Sequence, residues 1–227
     1  PIILILKAKL GKMKWETLQL EIINFRNKMN YLSHLSLSYP NPGLLGGNYI
    51  YDLLNYSESK QINSFFHEGI QLHKWIDNFS NNSEHLKEIN SYLHPVVHKY
   101  APVASDIFCD HLLFLQWDQY FKFTFEEFEN TTYQILGDVM QFMPDRIANI
   151  CLNMTTQRFM SQYKNYEGLE NVYVRMNKKT KFPVDFRLVL PVLAKNIDLF
   201  QQLFGYFFKE CNAKVQAQIN LQNETKQ

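Results

Sequence analysis

Three stretches of this chain place imidazole and carboxylate groups at helical spacing. His73 and Asp77 are four residues apart, as are Asp106 and Asp110, and His111 follows directly. Asn48 and Asp52 repeat the step, and His34 sits inside the apolar run Tyr31-Leu32-Ser33-His34-Leu35. Residues four apart on an α-helix share one face, and His111 lies about 100° round from Asp110. Any one such pair is also ordinary helix support, and a lone histidine in an apolar run is often a satisfied core residue. The surroundings argue for more. Asp106, Asp110 and His111 lie among Val103, Ile107, Phe108, Leu112 and Leu113, where an unpaired carboxylate is costly. Histidine and aspartate contributed by three or four helices form the kind of set that binds a metal inside a helical bundle. No cysteine stands at ligand spacing, so nitrogen and oxygen donors point to Mn2+, Mg2+ or Fe2+ over structural Zn2+.

Positioning those groups requires helices, and the chain reads as helical throughout. A helix is expected over Asn30–Ser38, stopped by Pro40 and Pro42. Gly43, Gly46 and Gly47 read as a turn into a segment over Asn48–Leu54. A long helix is expected over Lys60–Phe79, where Ile62, Phe65, Phe66, Ile70 and Ile76 keep mostly to three- and four-residue steps. A polar loop at Asn78–Ser83 leads to a helix over Glu84–Leu93, ended near Pro95. Pro102 suits the first helical position of Val103–Phe121. Thr124-Phe125-Glu126-Glu127 reads as a capping box opening Phe125–Phe142. Pro144 breaks that helix, Arg146–Tyr163 resumes it, and Gly168 sets apart Leu169–Asn177. Helices over Phe186–Leu193 and Ile197–Leu221 close the chain. No segment alternates long enough to demand a strand, so the expected fold is all-α, a single compact multi-helix domain.

Composition narrows the function. The charge balance is +1, with 23 basic and 22 acidic residues, which argues against a nucleic-acid footprint built on overall charge. There is no Gly-x-Gly-x-x-Gly, P-loop or Gly-x-Ser-x-Gly elbow, which disfavours nucleotide-fold enzymes and α/β-hydrolases. Cys109, Cys151 and Cys211 have no paired spacing, which suits a reducing compartment. No apolar run is long enough to span a membrane. The run Pro1-Ile2-Ile3-Leu4-Ile5-Leu6 is followed by Lys7, Lys9 and Lys12, the reverse of a signal peptide's order. Residues 1–28 are expected to be an extension read from upstream of a start at Met29. Residues 212–227 are expected to be a polar, fraying tail.

Taken together, four motifs resemble a known family. They are Met29-Asn30-Tyr31-Leu32-Ser33-His34-Leu35, Gly47-Asn48-x-x-x-Asp52, Gly69-Ile70-x-Leu72-His73-x-x-Ile76-Asp77, and Ala101-Pro102-x-x-x-Asp106-x-x-x-Asp110-His111. In order and gaps they are similar to the acyl carrier protein phosphodiesterases, from Met29 to about Trp117. A weaker likeness runs through Gln157–Tyr163 and Val172–Lys179. The resemblance implies a domain over residues 29–211 with an HD-like, all-helical, manganese-dependent phosphohydrolase fold acting in the cytoplasm. It implies hydrolysis of the phosphodiester that joins 4′-phosphopantetheine to a serine of holo acyl carrier protein, within fatty acid metabolism. Alternatives are an HD-like phosphohydrolase acting on a nucleotide and a non-catalytic helical binding protein.

On that reading Asp52, His73, Asp110 and His111 are the expected metal shell, and His34, Asp77 and Asp106 orient ligands or shuttle protons. The sequence departs from the family pattern in places. Ser36 and Gln71 stand where a second histidine is usual, Lys74-Trp75 where two arginines are usual, and Gln116 where a histidine precedes Trp117. Carrier proteins are acidic, so a basic rim should steer them. Asn48, Lys74, Arg146, Arg158, Arg175, Lys178 and Lys179 are the expected substrate-binding residues.

Overall fold

The computed structural model describes residues 31–178, 180 and 182–224. The expected extension over residues 1–28 lies outside them. Among the described residues there are twelve helices and no strand. In chain order they are α1 (Tyr31–Ser38), α2 (Pro42–Ile50), α3 (Tyr56–Lys60), α4 (His67–Asn82), α5 (Glu84–Val97) and α6 (Ala101–Leu115). Then follow α7 (Trp117–Tyr120), α8 (Phe125–Val139), α9 (Asp145–Thr156), α10 (Tyr166–Asn177), α11 (Val189–Lys195) and α12 (Ile197–Glu224). Short 3-10 turns join several of them, among them Tyr51–Leu53 and Ser64–Phe66.

Helix α1 forms the middle of the core. Every side chain from Leu32 to Ser38 is buried. Its serines survive there because their hydroxyls bond back to the helix: Ser36 Oγ donates to the Ser33 carbonyl and Ser38 Oγ to that of His34. Helix α2 begins at Pro42 with Asn41 accepting from the Leu44 amide, so the prolines that stop α1 also start α2.

The expected turn at Gly43, Gly46 and Gly47 is instead the body of α2. What those glycines provide is closeness. A Cβ on Gly47 would stand 2.2 Å from the Phe66 carbonyl oxygen, and one on Gly69 would stand 2.3 Å from that of Leu44. Only hydrogen fits at that crossing, and it brings the backbone of α2 onto α4. The packing gain outweighs the poor helix propensity of glycine.

Other boundaries shift for local reasons. Asn63 caps the 3-10 turn Ser64–Phe66, so α4 starts later than expected and runs on to Asn82, where Ser83 caps α5. Pro95 lies in the final turn of α5 and does not end it. Gly168 is inside α10, where a Cβ would meet the Gln162 carbonyl at 2.0 Å. The capping box expected at Thr124 and Glu127 is formed, and α8 follows it. Residues 212–224 continue α12, with Val215 still buried. No described helix is long and apolar enough to cross a membrane.

Candidate metal centre

Three of the helices just described meet at two imidazoles. His34 projects from α1 and His73 from α4; both are buried and their rings stack at 4.1 Å with 17° between planes. Asn48 of α2 fixes the pair. Its Oδ1 accepts from His34 Nδ1 at 2.8 Å, and its backbone carbonyl accepts from His73 Nδ1 at 2.7 Å. Its own Nδ2 donates to the His34 carbonyl at 2.8 Å, which fixes the amide's orientation. With both Nδ1 protons given to oxygen, Nε2 is the atom each ring has left to offer, as a lone pair once the ring is neutral. Asn48 is therefore a buried support for the histidines and not the substrate contact expected of it.

Both Nε2 atoms face carboxylates. His34 Nε2 lies 3.5 Å from Asp77 Oδ1, and His73 Nε2 lies 3.4 Å from both Asp77 Oδ2 and Asp52 Oδ1. These separations are too long for good hydrogen bonds. His34 Nε2, His73 Nε2 and Asp77 Oδ1 are buried atoms with no hydrogen-bond partner. The donor atoms of His34, His73 and Asp77 all lie within 4.8 Å of one another. Donors about 2.1 Å from one cation stand about 3.0–3.4 Å from each other, so the set fits a shared divalent ion.

The electrostatics agree. Burial lowers the His73 pKa, but Asp52 and Asp77 outweigh it and bring the group up to about 9. Burial would raise Asp77, yet the two histidines hold it at about 2. His34 is lowered, by burial first and then by His73, with Asp77 opposing. Neutral His34 thus points an acceptor at an ionised carboxylate, a contact that a cation between them would reconcile.

Asp110 and His111, expected in the metal shell, lie outside this group. Asp110 is fully buried and accepts from the amides of Leu32 and Ser33 at 2.9 Å each and from Ser33 Oγ at 2.6 Å. It satisfies the first amides of α1 and so seats the helix that carries His34. Burial lifts its pKa to about 7 against those three donors. His111 Nδ1 donates to the Tyr163 carbonyl at 2.7 Å, which ties α6 to the segment before α10. Asp106 is half-buried beside Cys109 and Tyr173, whose pKa values it raises in addition to the larger effect of burial.

The expected basic rim divides. Arg146 is paired with Glu58, and Arg158 with the buried Glu129 and with Asn130. Arg175 lies over Phe159, and Lys178 is exposed. Lys179 lies outside the described residues. Lys74 is exposed one residue from His73, with its ammonium 5.4 Å from the Tyr51 ring. That ring in turn lies 4.7 Å from His73. Sequence reasoning missed the supporting roles of Asn48 and Ser33; the four-residue step from Asn48 to Asp52 was the available signal.

The fold and the site together define an all-helical protein with a buried His/Asp cluster whose donor atoms could hold a metal ion. The acyl carrier protein phosphodiesterase family model matches residues 29–211. The chain belongs to that family. It is 24% identical to an acyl carrier protein phosphodiesterase of Enterobacter sp. (strain 638) over 145 residues, covering 63% of this chain and 75% of the relative. The corresponding protein of Klebsiella pneumoniae (strain 342) is 25% identical over the same lengths. That of Salmonella newport (strain SL254) is 22% identical over 187 residues, 82% of this chain and 97% of the relative. No solved structure matches the chain at a significant level.

Proposed function

We propose that this protein is a divalent-metal phosphodiesterase that releases 4′-phosphopantetheine from the serine of holo acyl carrier protein. The observation that carries the reading is the convergence of His34, His73 and Asp77, with three buried donor atoms lacking any hydrogen-bond partner. Family membership supports the substrate class. In this reading His34 Nε2, His73 Nε2 and Asp77 hold the ion, and Asp52 completes the donor set from beside His73. A bound divalent ion supplies Lewis acidity, which activates water and offsets charge on the phosphoryl oxygens.

The chain's own residues do the rest. Asn48 holds both rings in the tautomer that presents Nε2. Asp77 offers one oxygen to each imidazole, so one can bind while the other receives a proton from water. Water oxygen adds to phosphorus, the bond to the serine oxygen breaks, and the water proton ends on that oxygen. Lys74 is the exposed base best placed to meet a phosphoryl oxygen or an acidic partner. Asp110 supports α1, the helix that carries His34, and His111 ties α6 to the segment before α10. Mn2+ is the proposed ion, with Mg2+ and Fe2+ as alternatives. A cytoplasmic setting and a role in fatty acid metabolism accord with three buried free thiols and with the family.

The test is to incubate the Mn2+-loaded protein with holo acyl carrier protein and follow the carrier by mass. Loss of the phosphopantetheine arm is expected. An intact arm together with hydrolysis of a nucleotide diester would favour the broader phosphohydrolase. An intact arm with no bound metal would leave a non-catalytic helical binding protein.

A further inference from the structure

Asp52 sits on a thinly secured part of the chain. The 3-10 turn Tyr51–Leu53 and helix α3 contain no fully buried residue. Tyr51, Leu53 and Leu54 are only partly buried against the core. The turn runs on from α2, and beyond the Leu54 amide, which bonds back to the Ile50 and Tyr51 carbonyls, its backbone has few ties. The neighbouring helices α2 and α4, by contrast, are locked at their glycine crossing. A ligand carried on the turn therefore depends on whatever else ties the turn down.

One side chain does so from far along the chain. Arg146, in the first turn of α9, donates from Nη2 to the Leu53 carbonyl, one residue beyond Asp52. The same guanidinium grips Glu58 with two bonds, Nε to Oε1 at 3.0 Å and Nη2 to Oε2 at 2.7 Å. Glu58 Oε2 also accepts the Asn55 amide in the capping box that opens α3. Arg146 thus joins the end of the turn, the start of α3 and α9 in a single fork. The planar guanidinium suits this task because its donors have fixed directions. Glu58 is well covered, at 15% side-chain exposure, while Arg146 is 49% exposed. Arg146 is spent on this clamp and not offered to a partner.

We propose that Arg146, working with Glu58, is a positioning residue for Asp52, holding the turn so that the carboxylate stays in the donor set beside His73. The inference rests on the metal reading given above. The test measures Mn2+ affinity by titration calorimetry on the full chain, with thermal melting of the metal-free protein as a control. Asp52→Asn should weaken binding about tenfold or more, and Arg146→Ala about tenfold, in the range usual for supports of metal ligands. Arg146→Lys and Glu58→Gln should lose less than Arg146→Ala. The double variant Asp52→Asn with Arg146→Ala should bind no more weakly than Asp52→Asn alone, because both act through one carboxylate. Unchanged affinity in Arg146→Ala and Glu58→Gln, with clear loss in Asp52→Asn, would overturn the positioning role alone. Unchanged affinity in Asp52→Asn would overturn it as well, while leaving His34, His73 and Asp77 in place. Absence of Mn2+ binding by the unaltered protein would overturn the metal reading itself.

Discussion

The two His/Asp clusters look alike in sequence and end in different surroundings. On α4, His73 and Asp77 face each other with unpartnered donor atoms. On α6, the Asp110 carboxylate is engaged by the amides of Leu32 and Ser33, and His111 gives Nδ1 to the Tyr163 carbonyl; its Nε2 is buried without a hydrogen-bond partner, but away from the His34, His73 and Asp77 group. Spacing puts groups on a face; it does not say what that face meets. A carboxylate that meets free helix amides becomes a cap, whereas one that meets two imidazole Nε2 atoms becomes a candidate ligand.

The sharpest way to break this comparison is to empty the first cluster. His73→Ala combined with Asp77→Ala should abolish measurable Mn2+ binding while the helical circular dichroism persists; retained stoichiometric metal would remove the distinction between clusters. Acidity gives the next largest effect. The His73 pKa is raised to about 9 from 6.5, so in the metal-free protein its pairing is fully present below 6.5 and lost as pH rises through about 9. An entering cation must displace that proton. Affinity should therefore climb about tenfold per pH unit between these values and then level off, as calorimetry across that range would register. The second cluster should respond in stability. Asp110→Ala removes three bonds and strands two buried amides, which should cost about 3 kcal/mol in urea unfolding. Mn2+ affinity of the folded fraction should change little; a large loss would place Asp110 back among the ligands.

Much of this was legible beforehand, for reasons that can be located. Helix type followed from periodicity, the α8 start from the Thr124 capping box, and the His73–Asp77 pair from its four-residue step. What could not be read were relations between elements. Gly46 and Gly47 signal a turn locally, yet here Gly47 admits the backbone of α4 and Gly46 the Phe66 ring, contacts set by residues about 20 positions away. Asp110 reads as a ligand until Leu32 and Ser33 are seen at its oxygens, 78 and 77 positions distant. Arg146 reads as a free surface base until Glu58 is found 88 positions away. Each miss has the same physical origin: a polar group's role is set by the partner that folding delivers.

The single asparagine behind both imidazoles has one more consequence. Because Asn48 grips His34 through its side chain and His73 through its backbone, neither ring can swivel without dragging the other. The nitrogen half of the cage is stiff, and any adjustment to ionic radius must come from the carboxylate half. Discrimination between cations of different size should then be governed by how far Asp52 and Asp77 can yield.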